Sequence, residues 1–169
     1  PLDQKMYSAV TTLDHYQSLY ENVSDEVAVG EASHSYLYFP EQSSERIQKY
    51  IPKAKLIVVL RNPVDRAYSS FLYLHRQSRE PYMDFLKAFN DGERRAEQNW
   101  APLWRYKDMG FYYKSLKSYY EKFEASQIKV YLYEDLKRDP NGLLQDLFNF
   151  LDLDPSYRPN LSVVFNKSG

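Results

Sequence analysis

Apolar residues in this chain occur in two patterns. Short, mostly apolar runs stand at Val27–Ala32 (VAVGEA, ending in Gly30-Glu31), Leu56–Leu60 (LIVVL, continuous and rich in β-branched residues) and Ile128–Tyr133 (IKVYLY, alternating). Runs of that length and content predict strands, and an unbroken run such as Leu56–Leu60 predicts one covered on both faces. Elsewhere apolar residues recur every three or four positions, which predicts helices. Leu13, Tyr16, Leu19 and Tyr20 form one such stripe, with Thr12 as its cap. Pro40–Tyr50 predicts a second helix. A third runs from Pro63 to about His75, with Ala67, Phe71 and Leu74 inside. Phe85, Leu86 and Phe89 mark a short helix within Tyr82–Asn90. Leu116, Tyr119, Tyr120 and Phe123 mark another within Tyr106–Phe123. Asp139 caps and Pro140 opens the last, whose buried face is Leu143, Leu144, Leu147, Phe148 and Leu151.

The strand–helix–strand order from Val27 to Leu60 predicts a right-handed βαβ unit with parallel strands. That topology would set Glu31 and Arg61 at one edge of the sheet. Asp91 to Pro102 is charged and lacks apolar spacing, so Gly92 to Asn99 is expected to be exposed. Trp100 and Trp104 either line a cleft there or anchor the loop. The fold class expected is α/β, a parallel sheet flanked by helices, in a single domain over residues 1–169.

Composition narrows the function. The 169 residues carry a net charge of −1, so no basic surface argues for nucleic acid and any anion site must be built locally. There is no cysteine, which excludes disulfides, zinc–thiolate sites and a cysteine nucleophile. No His/Asp/Glu group has metal-ligand spacing, so no metal is expected. No apolar run reaches membrane-spanning length. The 17 Tyr and 9 Phe predict an aromatic core.

The chemistry concentrates where Leu56–Leu60 meets RNPVDRAYSSF, Arg61–Phe71. Asn62 is a helix cap, Pro63 suits the first helical position, and Asp65 falls in the first turn. Helix starts favour anions, and ligands of open α/β sheets bind at the carboxyl ends of strands. Arg61 adds a forked cation and Ser69 a hydroxyl two turns on, which together can grip a phosphate. The other reading of these residues is a plain strand–helix corner with Arg61 in a surface ion pair.

RNPVDRAYSSF resembles the 3′-phosphate-binding segment of the PAPS-dependent sulfotransferases, PAPS being 3′-phosphoadenosine 5′-phosphosulfate. In that family an Arg ends the strand and a Ser eight residues later helps hold the donor, as Arg61 and Ser69 would here. GEASHSYLYFP, from Gly30, is similar to the Glu-[Lys/Ala]-[Ser/Thr]-Pro-x-Tyr-[Leu/Phe] segment of bacterial and heparan-type members. The resemblance implies that Glu31 is the base for the acceptor. His34 replaces the usual Pro; its near-neutral intrinsic pKa makes it a second acid–base candidate, and a loop residue is the alternative. Met109-Gly110-Phe111-Tyr112 matches an Arg/Met-Gly-x-Tyr segment. Tyr133-Glu134-Asp135-Leu136 with Asp139-Pro140 matches the Tyr-Glu-Asp-Leu…Asp-Pro landmark. Glu134 and Asp135 are read as structural rather than as an acid–base pair. The closing Asn166-Lys167-Ser168-Gly169 is similar to the loop that folds over the donor nucleotide, which implies donor contacts for Lys167 and Ser168; a frayed terminus is the alternative.

The resemblance implies a P-loop-like fold and transfer of a sulfuryl group from PAPS to a hydroxyl or amine of a carbohydrate or small molecule, without metal. The family's opening loop, whose Lys, Ser/Thr and Gly grasp the 5′-phosphosulfate, has no counterpart in the sequence. The expectation is a domain truncated at its N-terminus or one whose loop is disordered, with loss of the loop as the alternative. Two alternatives stay open: a non-catalytic domain retaining the 3′-phosphate grip, and a nucleotide kinase of related fold. A cytoplasmic location is expected.

Overall fold

The computed structural model describes residues 12–162, in two compact units divided between Glu31 and Ala32. The first unit holds helix α1 (Leu13–Ser18). Thr12 caps it, accepting from the His15 N–H at 3.3 Å. Val27–Ala32 is not a strand. Its residues join no ladder, and Val27 and Val29 are 85% and 50% exposed. An apolar run supplies strand propensity, but a strand persists only with a neighbour to take its N–H and C=O groups. With no strand there, no βαβ unit spans Val27 to Leu60, and sheet topology does not set Glu31 beside Arg61.

The second unit runs α2 (His34–Tyr38), α3 (Pro40–Tyr50), β1 (Leu56–Leu60), α4 (Pro63–Arg76), α5 (Phe85–Asn90), α6 (Gly92–Glu97), α7 (Tyr112–Tyr120), β2 (Ile128–Leu132), α8 (Tyr133–Arg138) and α9 (Pro140–Phe150). β1 and β2 pair directly and in parallel, Leu56 opposite Ile128 and Leu60 opposite Leu132. Alternate residues of a strand face opposite sides. On one side Leu56, Ile128 and Val130 pack with Tyr119, Phe123, Leu37 and Ile47, which brings α2, α3 and the α7 region onto that face. On the other, Lys129 and Tyr131 reach Asp146 of α9 at 2.7 and 2.8 Å. The fold is α/β, with helices on both faces of β2.

β1 is covered on one face only. Ile57 and Val59, in register with Lys129 and Tyr131, are 42% and 54% exposed. The continuous run misled because composition shows that either face can be buried, not that something lies over it. For the same reason α9 lacks a buried face: its leucines are half-buried. Tyr120 likewise leaves the predicted stripe and is exposed, while Tyr119 and Phe123 are buried.

The larger core forms on α4. Ala67, Phe71 and Leu74, one stripe of that helix, are buried with Ala88, Trp104 and Tyr106. Residues 80–106 form a lobe in which Gly92 to Asn99 is mostly exposed, as expected, but is helical over α6, with Gly92 and Arg95 buried. Arg95 of α6 is fully buried. Its Nη1 and Nη2 donate to the two Glu80 carboxylate oxygens at 3.0 and 2.7 Å. Nη1 also donates to the Trp104 carbonyl at 3.0 Å, and Nε to Asp91 at 3.2 Å. The guanidinium lies 5.1–5.5 Å from the ring centres of Trp100, Tyr106 and Tyr82. Glu80 is completed by the Tyr106 hydroxyl and the Tyr82 N–H. A short helix whose buried side chain is a satisfied charge shows no apolar period, so the sequence does not reveal its inner side. Trp104 is buried against Arg79, which settles its role as an anchor.

Two carboxyls tie stability to pH. Arg94 beside Asp91, and Lys129 with Tyr131 beside Asp146, hold these groups below the usual carboxylate range. A carboxyl with a lowered folded-state pKa contributes stability above its ordinary value of about 4 and loses it as pH falls through the lowered value. Urea midpoints are therefore expected to drop below about pH 4. Asp91→Asn with Asp146→Asn should flatten that acid limb; an unchanged limb would rule these two groups out as its source.

Candidate active site

Because β1 and β2 run parallel in register, their carboxyl ends release Arg61 and Tyr133 side by side. The Arg61 guanidinium lies over the Tyr133 ring, 5.0 Å from its centre, and the Lys137 ammonium lies 4.8 Å from the same centre. Among the described residues no carboxylate forms an ion pair with Arg61. A forked cation at a strand end, held by an aromatic face rather than an anion, keeps its donors for a ligand.

Asn62 then turns the chain into α4. Its Oδ1 accepts from the N–H groups of Val64 and Asp65 at 2.9 and 3.4 Å, and Pro63 occupies the first turn. The Asn62 N–H donates to Glu134 at 3.3 Å, and the Arg61 carbonyl accepts from the Tyr112 hydroxyl at 3.0 Å. Asn62 is the cap that the sequence predicts, so the first N–H groups of α4 are used within the protein. What remains for an anion at this corner is side-chain chemistry: Arg61, and half-buried Ser69, about 9 Å along the α4 axis from Pro63.

The sequence marked the Met-Gly-x-Tyr and Tyr-Glu-Asp-Leu segments but gave them no part in the corner. A Cβ on Gly110 would sit 3.0 Å from the Pro63 Cβ, so glycine lets that segment close onto the start of α4. Arg66, in the first turn and a half of α4, is drawn into the same packing and donates to the Tyr106 carbonyl. Burial pushes its guanidinium below the ordinary arginine value, partly offset by Tyr112. Asp135 pairs with Arg138 at 2.5 Å, and Asp139 caps α9 through the Gly142 N–H at 2.9 Å. Both act in local structure.

Glu31 is the last residue of the first unit and is exposed. The Tyr16 hydroxyl hydrogen-bonds to its carboxylate and itself accepts from the Tyr20 hydroxyl at 3.3 Å. Burial, then Tyr20 and Glu31, push the Tyr16 hydroxyl above its ordinary range, so it stays a donor. His34 is the first residue of α2, which Ser33 caps through the Ser35 N–H at 3.3 Å; the His34 side chain lies outside the described part. Lys167 and Ser168 also lie outside the described residues.

Residues 9–164 match the model of the sulfotransferase domain. The chain belongs to the sulfotransferase domain family. A solved sulfotransferase from Alicyclobacillus acidocaldarius is similar over 91% of this chain and 62% of its own, with a TM-score of 0.86 and 37% identity. The mouse bifunctional heparan sulfate N-deacetylase/N-sulfotransferase 4 is 29% identical over 142 residues, 80% of this chain and 16% of its own length. The human heparan sulfate glucosamine 3-O-sulfotransferase 6 is 30% identical over 140 residues, 82% of this chain and 39% of its own. This sulfotransferase domain therefore spans well under half the length of those two relatives. Among the described residues no helix is long and apolar enough to cross a membrane.

Proposed function

We propose that this sulfotransferase domain moves a sulfuryl group from PAPS to a hydroxyl or amine of a carbohydrate acceptor. The observation that carries this reading is the Arg61 corner: a half-buried guanidinium at a parallel strand end, backed by Tyr133 and paired with no described carboxylate. Arg61 and Ser69 hold the 3′-phosphate and so orient the donor. Glu31 takes the proton from the acceptor O–H or N–H, with His34 as the second candidate for that role. The acceptor atom bonds to sulfur as the bond from sulfur to the bridging 5′-phosphate oxygen breaks, and adenosine 3′,5′-bisphosphate leaves. Positioning and proton removal are the protein's contributions to rate. Lys167 and Ser168 contact the donor in the same reading, and no metal takes part. The carbohydrate acceptor is supported by the heparan sulfate enzymes among the relatives. The absence of cysteine and the bacterial structural neighbour support a cytoplasmic setting.

Calorimetric titration with adenosine 3′,5′-bisphosphate tests the donor assignment. Arg61→Ala is expected to weaken binding by roughly 10- to 100-fold, the range for a lost hydrogen bond to a charged group. Equal affinity in parent and variant would remove Arg61 from the donor site.

A further inference from the structure

We infer that Tyr112 and Glu134 are positioning residues that aim Arg61 at the donor. The inference rests on the proposed role of Arg61 in holding the 3′-phosphate.

The two hydrogen bonds at the corner fall on one peptide group. The carbonyl that accepts from Tyr112 and the N–H that donates to Glu134 belong to the same bond, between Arg61 and Asn62. A trans peptide directs its C=O and N–H to opposite sides of a rigid plane. Tyr112 and Glu134 therefore clamp that plane from both edges. Its orientation fixes ψ of Arg61 and φ of Asn62, the two rotations that set the Arg61 side chain against α4. This is the point where an extended strand becomes a helix within one residue, Asn62 standing at φ −44° and ψ 122°. Without a clamp, the plane has neither a sheet ladder nor a helical turn to hold it.

The clamps come from distant parts of the chain. Tyr112 opens α7, and glycine at position 110 allows its segment to approach Pro63. Glu134 follows Tyr133 at the end of β2, so the residue that backs the guanidinium and the residue that holds the peptide are neighbours. Neither clamp is assigned a contact with the acceptor or the reacting atoms. Each acts through Arg61, and the loss of either should appear as poorer discrimination of the 3′-phosphate.

The test compares affinities of the full-length protein for adenosine 3′,5′-bisphosphate and adenosine 5′-monophosphate by calorimetry. Their ratio isolates the 3′-phosphate. Tyr112→Phe is expected to lower that ratio about fivefold, one ordinary hydrogen bond, with 5′-monophosphate affinity unchanged. Glu134→Ala and Glu134→Gln are both neutral, so the difference between them removes the acceptor oxygen without a change of charge. The ratio for Glu134→Ala is expected about fivefold below that for Glu134→Gln. A merely structural role would move the melting temperature and both affinities together. If Arg61→Ala lowers the ratio while Tyr112→Phe and the Glu134 pair leave it unaltered, the inference fails and the donor site stands. If Arg61→Ala keeps the parent ratio, the donor reading itself fails. Should Tyr112→Phe not fold, the Glu134 pair decides.

Discussion

Arg95→Ala is expected to lower the unfolding free energy by about 3–5 kcal/mol, the usual result of stripping one partner from a buried ion pair. The effect comes less from attraction lost than from what is left behind. Glu80 would keep a buried carboxylate with only the Tyr106 hydroxyl and the Tyr82 N–H as partners. Trp100, Tyr82 and Tyr106 would lose the plane they pack around. Arg95→Lys should recover little, because an ammonium cannot reproduce the two-pronged contact with Glu80. Arg95→Met with Glu80→Leu should recover most of the loss, since removing both charges removes the desolvation penalty. Urea unfolding measures all four proteins. A loss under about 1 kcal/mol for Arg95→Ala, the range of an exposed pair, would mean that water reaches Glu80 and that the lobe does not depend on this charge.

Glu31→Gln is expected to reduce turnover roughly 10²- to 10⁴-fold, the range for losing a general base. Donor affinity should be nearly unchanged, because donor contacts are assigned to the Arg61 corner. Glutamine keeps an oxygen for the Tyr16 hydroxyl, so the substitution removes the proton acceptor and leaves the local bonding in place. The measurement is steady-state turnover of the full-length protein, with the donor constant taken separately by calorimetry. A variant with full turnover would pass the role to His34, and His34→Ala would then be the decisive protein.

Much of the corner was legible because its signals are local. Apolar residues at Leu56–Leu60, then Asn62 and Pro63, specify a strand that ends and a helix that begins, and α4 buries the expected Ala67, Phe71 and Leu74. Capping, proline at the first turn and helical period act within a few residues, so a single sequence displays them. The strand expected at Val27–Ala32 failed because pairing is not local: the run contains strand-forming residues but no partner. The buried ion pair was hidden in the opposite sense. Gly92 to Asn99 shows no apolar period because its one buried side chain is Arg95, whose partners Glu80 and Asp91 identify themselves only in space.

The sequence by itself determined the family motifs, the Arg61–Asn62–Pro63 turn, the inner stripe of α4 and the cap of α9. All of these depend on residue order over one or two helical turns. Tertiary structure alone decided that β1 pairs with β2, and so that Tyr133 backs Arg61. It also decided that Tyr112 and Glu134, 51 and 72 residues from their partners, hold the two edges of one peptide. Those contacts depend on which surfaces meet, and that choice is made by packing energy summed over the whole unit rather than by any stretch of residues within it.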